Sequence, residues 1–555
     1  MRQNKPNRYT PLLMAVSVVV GILIGTFYAN HLSGNKLNII KSGSNRLNNL
    51  LHIINDQYVD TVNIDSLVDK AVPQILSDLD PHSVYIRAKD VQSVTDDLKG
   101  SFSGIGVQFV IREDTIRVQG IVKNGPAERA GIVAGDKIIS IDDKPFVGKV
   151  VTNEETIKRL KGPKGTKVKI GILKYKEKKP TIYTITRNDI PVKSIPATYM
   201  LDDETGYIRI NSFGETTYPE MLISLARLSQ EGFSSLVIDL RDNPGGYLES
   251  AIQIANEFLP NNKLIVYTEG RKSPRQEYRS DGHGSYKNIP LVILINEGSA
   301  SASEIIAGAM QDNDRATIIG RRSFGKGLVQ QQLGFTDGSL IRLTVARYYT
   351  PSGRCIQKPY EAGNSKGYDE DIIDRYEHGE FFSQDSIKHT GPKYHTSLGR
   401  IVYGGGGVTP DIFIPEDTTD ITSYSKEAVM SGLIQQFAFV YTDNNRQKMS
   451  KYDDMHALAA YLKKQNIVDM FASYADKQGL KRRNLMIKKS YKMLERHIIS
   501  RIIYNMLEEE DWTKYINQDD NAIKKTLEIF KKGESFPQKP EVKTQVKGRK
   551  NNNKA

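Results

Sequence analysis

The stretch "PLVILINEGSASASEIIAGAMQDNDRATIIGRRSFGKGLVQ" (290–330) decides the fold. An apolar run is followed by a glycine–serine turn, a series of small and apolar residues at helical spacing, and a second apolar run. The same order begins again in "SSLVIDLR" (234–241), "DNPGG" and "YLESAIQIANEFL" (247–259). Strand, glycine turn, helix and strand are typical of an α/β sheet that has its ligand sites at the strand ends. Residues 190–415 are therefore predicted to form an α/β core.

The lysine in "SFGKG" has two interpretations that can be set aside. Gly320, Gly325 and Lys326 nearly match a phosphate-binding loop. That motif needs Ser or Thr directly after the lysine to hold magnesium, and Gly327 stands there. A local Ser-x-x-Lys pair of Ser323 and Lys326 needs both residues on one helical turn, but the loop contains two glycines. Neither interpretation is favoured.

Three serines at alternate positions follow the buried run at the start of a helix, in "NEGSASASEIIAGAMQ". Free backbone N–H groups and the helix dipole favour negative charge at such a place, so a tetrahedral oxyanion could be held there. The alternative is that the serines only cap the helix and allow close packing. The tandem glycines of "LRDNPGGYLES" could supply a second oxyanion donor, or could form an ordinary turn.

A nucleophilic serine needs a base, and no Gly-x-Ser-x-Gly elbow is present. The nine histidines are scattered along the chain. Lysine can act as the base if burial lowers its pKa from about 10.4 towards neutrality. Lys326 lies in an apolar, glycine-rich loop between Phe324 and Leu328, and the amide of Gln330 could orient its amine without adding a charge.

Composition limits the classes of protein to consider. At 555 residues the chain is expected to contain two to four domains. The formal net charge is +12, and the tail from Lys531 to Ala555 supplies about half of it, so we expect a solvated, disordered tail and no nucleic-acid partner. The single cysteine, Cys355, excludes an internal disulfide and a multi-cysteine metal site.

The N-terminus predicts a membrane anchor. Between Arg8 and His31 lie 22 uncharged residues, which is long enough to cross a bilayer as a helix. Basic residues precede this segment, as in a signal sequence, but no clean cleavage site follows it. We therefore expect an uncleaved anchor that leaves the rest of the chain outside the cytoplasm, on the periplasmic side.

The chain resembles the C-terminal processing peptidases, also called tail-specific proteases, in its central block and in further blocks in the same order. These blocks include "LDPHSVYI", "SGIGVQF", "GPAERAGIVAGDKIISID", "LRDNPGGYL", "YYTPSGRCIQ" and "GGGVTPDI". The resemblance implies that Ser301 is the nucleophile, Lys326 the base and Gln330 the residue that orients the lysine. It implies oxyanion donors at Ala302 and at Gly246 or Gly245.

The resemblance also implies a crotonase-like α/β core and a β-rich PDZ domain. The carboxylate-binding loop of that domain would consist of Gly104, Ile105, Gly106 and Val107, which could capture a free C-terminus. The expected protein is a serine endopeptidase that cleaves unfolded or C-terminally exposed proteins and uses no metal or nucleotide. The alternative is a non-catalytic PDZ scaffold with a decayed peptidase core.

The predicted organisation has six parts. They are an N-terminal signal or anchor (1–35), a helical region (36–98), a PDZ domain (99–178), a peptidase core (179–418), a helical C-terminal region (419–533) and a disordered basic tail (534–555). The core includes a polar insertion near 361–400, expected to be irregular. The insertion and the C-terminal region lie outside the minimal family pattern, and we expect them to cap the active site or to form a homo-oligomer. The PDZ domain could also hold the enzyme inactive until a tail binds.

Overall fold

The computed structural model describes residues 19–20, 43–174, 177–389 and 391–539. The chain divides into two compact units, residues 1–74 and 75–555. In the first unit the described elements are helix α1 (Gly43–Gln57) and most of helix α2 (Ile64–Ser77). Asn63 caps α2, because its Oδ1 accepts a hydrogen bond from the Ser66 N–H.

The segment after α2 leads into a β-rich domain. This segment contains β1 (Val84–Ile86), which pairs with a strand of the core described below, and α3 (Ala88–Lys99). The elements of the β-rich domain are β2 (Ser101–Gly104), β3 (Val107–Arg112), β4 (Thr115–Ile121), α4 (Pro126–Arg129), β5 (Lys137–Ile141), β6 (Lys144–Pro145), α5 (Asn153–Leu160), β7 (Lys167–Leu173), β8 (Thr181–Thr186) and β9 (Asn188–Pro191). The main sheet has the order β3-β4-β5-β7-β8, with β6 beside β5. Its core consists of aliphatic side chains, among them Ile116, Ile138 and Ile170, none of which is exposed. Strands β2 and β9 pair separately as an antiparallel ribbon.

The α/β core follows. Its elements are β10 (Ala197–Met200), β11 (Thr205–Arg209), α6 (Thr217–Glu231), β12 (Ser235–Asp239), α7 (Leu248–Phe258), β13 (Leu264–Glu269), β14 (Gln276–Arg279), β15 (Leu291–Ile295), α8 (Ala302–Asp312), β16 (Thr317–Gly320), β17 (Leu328–Gly334), β18 (Leu340–Tyr349), α9 (Ser365–Glu377), β19 (Lys393–His395), β20 (Ile401–Tyr403) and β21 (Ile412–Phe413).

The central sheet has the order β10-β11-β12-β15-β16-β21, and its pairs from β11 onward are parallel. Strands β12 and β15 are buried at every residue, which explains their continuous apolar runs. One face of the sheet packs on α6, α7 and α8. Because parallel strands end at one edge, the turns after β12 and β15 lie side by side. The predicted α/β class is confirmed.

The chain after Lys326 forms part of a second sheet. Its order is β1-β18-β13-β14, and β17 pairs with β18 as an antiparallel hairpin. The turn of this hairpin lies in "GFTDGS" (334–339). Within the described strands β17 pairs only with β18, so β17 forms an edge that starts two residues after Lys326.

The insertion at 361–400 differs from its prediction. It was expected to be irregular, but it contains the 13-residue helix α9, a short 3-10 turn (Gln384–Ser386) and strand β19. Helix α9 buries Tyr368 and Arg375. The helix contacts the core through ring packing and hydrogen bonds. It therefore has no stripe of apolar residues at helical spacing, which is the pattern that predicts a helix from a sequence.

The C-terminal region is helical, as predicted. Its helices are α10 (Ser423–Met430), α11 (Leu433–Met449), α12 (Met455–Lys463), α13 (Ile467–Lys477), α14 (Asn484–Lys489), α15 (Tyr491–Met506), α16 (Glu509–Asn517) and α17 (Asn521–Lys532). Helices α10 to α16 enclose their own apolar cluster. Helix α17 instead places Ala522, Ile523 and Ile529 against the face of the central sheet opposite α6, α7 and α8.

Two expectations fall largely outside the described residues. These are the membrane anchor, of which only Val19 and Val20 are described, and the disordered tail beyond residue 539. Among the helices that the structure does describe, none combines the length and apolar character that a membrane span requires.

Candidate active site

Ser301 lies directly before α8, in the turn that follows β15. Its backbone has a φ of +55°, in the left-handed region that non-glycine residues seldom adopt. Such strain at a serine between a strand and a helix is found where a nucleophile must be presented at the end of a sheet. The side chain is partly exposed.

The two neighbouring serines have structural roles. Ser299 and Ser303 are fully buried. The Ser299 hydroxyl donates to the carbonyl oxygen of Leu240, and the Ser303 hydroxyl donates to that of Asn243. Both bonds tie the serine turn to the turn after β12. Of the three serines, Ser301 is the one accessible to a substrate.

Two backbone N–H groups are available near Ser301. Neither the Ala302 N–H nor the Gly246 N–H donates to another residue in the described part of the chain. The Gly245 N–H, in contrast, donates to Asn243 Oδ1 at 2.8 Å. The structure therefore favours Gly246 over Gly245 as the second oxyanion donor.

The tandem glycines are required by the close approach of the two turns. A Cβ atom at Gly245 would lie 2.7 Å from the Cβ of Ser301 and 2.9 Å from the nitrogen of Ala302. A Cβ atom at Gly246 would lie 2.0 Å from the carbonyl oxygen of Phe213, and its φ is +149°. The glycine turn thus lies directly against Ser301.

Lys326 is largely buried and forms no ion pair with a carboxylate among the residues that the structure describes. Burial lowers the pKa of its amine, and the positive charge of Arg342 lowers this pKa further. Glu304 and Asp80 oppose this shift to a smaller extent. The side chains of Ser301 and Lys326 are not hydrogen-bonded to each other in this structure. The Tyr348 hydroxyl lies between the carbonyl oxygens of Ser301 and Lys326, within hydrogen-bonding distance of both, and so links the lysine loop to the serine turn.

Glu304 joins the serine turn to the lysine loop, which we define as residues 321–327. Its carboxylate accepts from the N–H groups of Ser301 (2.8 Å), Gly325 (2.8 Å) and Lys326 (2.9 Å). The Ser323 hydroxyl also donates to it, at 2.5 Å, so Ser323 is a structural residue and not a nucleophile. Full burial raises the pKa of Glu304 to about 7, even though these four donors favour the carboxylate form.

Gln330 contacts Thr344 rather than Lys326. Its Nε2 lies 3.5 Å from Thr344 Oγ1, and the Thr344 hydroxyl donates to Asp80 Oδ1 at 3.0 Å. Since the single hydroxyl proton of Thr344 goes to Asp80, Thr344 can only accept from Gln330. The amide nitrogen of Gln330 must therefore face Thr344, which leaves the amide oxygen on the other side.

The sequence reasoning did not assign roles to Glu304, Asp80, Thr344 or Tyr348. Glu304 could have been found, because Ser301 and Glu304 match the Ser-x-x-Glu pattern of a capping box, and the Glu304 carboxylate accepts from the Ser301 N–H as in such a box. Asp80, Thr344 and Tyr348 reach the site only through pairing of distant strands. No local pattern indicates them.

The predicted carboxylate loop of the β-rich domain joins β2 to β3. The N–H groups of Ile105 and Gly106 donate to no other described residue, and Gly106 has a φ of +78°. Strand β3, which begins at Val107, pairs only with β4 among the described strands, so its other edge is unpaired. Gly104 ends β2 and forms part of the ribbon. Two free amides beside an open strand edge form a geometry suited to a peptide with a free C-terminus.

Comparison with known families assigns two of these domains. The model of peptidase family S41 matches residues 204–372, and the PDZ domain model matches residues 93–173. A family of unknown function (DUF8443) matches residues 424–508, within the C-terminal helices. The chain is thus a serine-type peptidase with a PDZ domain.

Similar proteins define the family more narrowly. A carboxy-terminal-processing protease of Bartonella bacilliformis is 38% identical over 318 residues, which cover 56% of this chain and 72% of that protein. A carboxyl-terminal-processing protease of Synechocystis is 37% identical over 296 residues, which cover 52% of this chain and 68% of that protein. The chain belongs to the C-terminal processing peptidase family.

Proposed function

We propose that this peptidase cleaves protein substrates through an acyl-enzyme on Ser301, with Lys326 as the general base. The neutral Lys326 amine takes the hydroxyl proton while Ser301 Oγ bonds to the substrate carbonyl carbon. The amide C–N bond then breaks, and the lysine returns the proton to the leaving amine. Water hydrolyses the ester by the same proton transfers in reverse order.

The main support for this proposal is that a strained serine, two free backbone N–H groups and a buried lysine occur together at this site. Ser301 has positive φ beside the free N–H groups of Ala302 and Gly246, which suit a tetrahedral oxyanion. Lys326 is a buried lysine without a carboxylate partner in the described chain, which favours its neutral form.

The experiment compares the full-length chain with Ser301→Ala and Lys326→Ala, using an unfolded protein with an apolar C-terminal tail as substrate. Lys366→Ala is the matched control, because the Lys366 side chain is 86% exposed. We expect cleavage, followed by mass spectrometry, from the wild type and the control alone. An acid-quenched wild-type sample should carry an acyl group on the peptide containing Ser301. Equal cleavage by all four proteins would reject the assignment.

We also propose that the PDZ domain selects substrates by their C-terminal carboxylate, through the N–H groups of Ile105 and Gly106 and the free edge of β3. A backbone site cannot be removed by a side-chain substitution, so the ligand is changed instead. A tail peptide with a free carboxylate should bind at least about tenfold more tightly than the same peptide with a C-terminal amide. Equal affinities, measured by fluorescence anisotropy, would contradict this role.

The location of the enzyme is a further part of the proposal. The uncharged N-terminal segment after Arg8 supports an anchored chain with its peptidase on the periplasmic side. A protease added outside intact spheroplasts should then digest the core. Digestion only after lysis would place it in the cytoplasm.

A further inference from the structure

Helix α9, in the insertion, contacts the backbone of the lysine loop. Arg375 is 5% exposed, and its guanidinium donates to the carbonyl oxygens of Arg322 (2.7 Å) and Ser323 (3.1 Å). Glu380, which follows the helix, accepts from both Arg375 and Arg322. The first part of the loop is thus held from the side of the insertion.

Tyr368 lies two helical turns before Arg375 on α9 and contacts the later part of the lysine loop. It is 4% exposed, and its ring meets the edge of Phe324 at a centroid distance of 5.9 Å. Its hydroxyl accepts from Gln357 Nε2 at 3.2 Å, while Gln357 Oε1 accepts from the Gly327 N–H at 2.8 Å. Phe324 and Gly327 flank Lys326 on either side. A single side chain of the insertion is therefore linked to both sides of the lysine.

The Tyr368 hydroxyl has a second hydrogen-bond partner, His82 Nε2, at 3.0 Å. The Gln357 amide nitrogen donates to the Tyr368 oxygen, so the phenolic proton is available for His82. A neutral His82 that carries its proton on Nδ1 accepts this proton at Nε2. Burial is the main cause that lowers the pKa of His82 to about 4, so the ring is neutral at neutral pH. Tyr368 thus also fixes the segment that contains Asp80.

We propose that Tyr368 is a positioning residue of the peptidase: its hydroxyl, acting through Gln357 and His82, sets the lysine loop so that the Lys326 amine can reach Ser301. This inference rests on the proposed Ser301–Lys326 mechanism. It gives the insertion a role in catalysis rather than in substrate binding. Loss of the hydroxyl should therefore reduce kcat and leave KM unchanged.

The test uses the full-length chain with Tyr368→Phe, which keeps the ring and removes only the hydroxyl. Tyr376→Phe is the matched control on the same helix: its ring is 43% exposed and packs on Phe381 and Phe382. We expect Tyr368→Phe to lower kcat about tenfold, with KM and Tm close to the wild-type values, and Tyr376→Phe to change none of them. Labelling of Ser301 by a fluorophosphonate should slow by a similar factor.

A double-mutant cycle tests whether the hydroxyl acts through Gln357. Adding Tyr368→Phe to Gln357→Leu should lower kcat less than it does in the wild type, because the link is already broken. Wild-type kcat in Tyr368→Phe, with Ser301→Ala inactive in the same assay, would overturn the positioning role and leave the proposed mechanism intact. A parallel loss of Tm and kcat would reduce Tyr368 to a structural residue. Cleavage by Ser301→Ala would reject both proposals.

Discussion

Lys326 combines two properties that seldom occur together at one residue: a basic side chain and surroundings that disfavour its charge. Burial is the main cause, and Arg342 contributes because a second positive charge nearby makes protonation of the amine less favourable. The carboxylate of Glu304 contacts the backbone of the lysine loop rather than the amine. Glu304 therefore organises the loop while raising the pKa of Lys326 less than burial and Arg342 lower it.

The role of Arg342 leads to a pH prediction. In Arg342→Gln the positive charge is lost, so the pKa of Lys326 rises and more of the amine is protonated at neutral pH. The acid limb of the pH profile of kcat/KM should therefore move to higher pH, and kcat/KM at pH 7 should fall. Arg347→Gln, at an exposed position of the same strand, should leave the limb in place. An unchanged limb in Arg342→Gln would contradict this electrostatic role.

Glu304 leads to a prediction about stability. Its pKa is about 7 in the folded chain and about 4.5 when unfolded, so the folded state binds more protons between these values. This group therefore makes the free energy of unfolding fall as pH rises from 4.5 to 7, by about 3 kcal/mol in total.

Glu304→Gln removes the titration, so the stability of the wild type relative to the variant should decline across that pH window. Urea unfolding at several pH values measures the difference. A constant difference would contradict the raised pKa. Glutamine also turns an N–H donor towards backbone N–H groups, so kcat should fall as well.

The sequence indicated the chemically distinctive residues of the site and missed those that support them. Distinctive short sequence motifs surround Ser301, Lys326 and the tandem glycines. Asp80 and Thr344 stand in no distinctive local pattern, and they are hydrogen-bonded to each other although they lie 264 positions apart in the chain. Such pairs depend on strand register, which a single sequence does not specify locally.

At the scale of elements, the site depends on two turns that follow adjacent parallel strands, β12 and β15. Hydrogen bonds from Ser299 and Ser303 tie the turns together. The sequence predicted both strand–turn–helix units, since continuous apolar runs and glycines mark them. It did not predict α9, because that helix buries a tyrosine and an arginine instead of an apolar stripe.

Gly246, in the turn after β12, should not tolerate a side chain. Gly246→Ala places a Cβ atom against the carbonyl oxygen of Phe213 at a positive φ, which displaces the N–H from the oxyanion position. We expect kcat to fall by about 100-fold or more, as on loss of an oxyanion donor. Gly334→Ala, where a Cβ atom meets nothing within 4 Å, is the control and should behave as the wild type. Normal kcat in Gly246→Ala would exclude this N–H as a donor.

At the scale of the whole molecule, the C-terminal region contacts both other domains. Arg117 and Asp443 form an ion pair at 3.0 Å between the PDZ domain and α11. Arg241, in the turn after β12, pairs with Asp520 at 2.7 Å, the residue that caps α17. The helices after residue 423 are therefore integrated into the fold rather than appended to it.

Helix α17 should contribute to the stability of the peptidase core. Ile523 is 3% exposed and packs on the central sheet. Ile523→Ala should lower the free energy of unfolding by about 2–4 kcal/mol through lost burial and a cavity. Lys524→Ala, next to it on the exposed side, should change stability by less than about 0.5 kcal/mol. Equal thermal unfolding curves for the two variants would show that α17 is dispensable.

The β2–β9 ribbon has a consequence for how such an enzyme can diversify. The chain enters the PDZ domain through Ser101–Gly104 and leaves it through Asn188–Pro191, and the two segments are paired residue by residue. Both chain connections of the module thus lie side by side in this ribbon, so a different module could replace it there without a change in the path of the peptidase chain. Exchange of the PDZ domain at this ribbon would change which protein tail is bound and would leave the residues of the peptidase core unchanged.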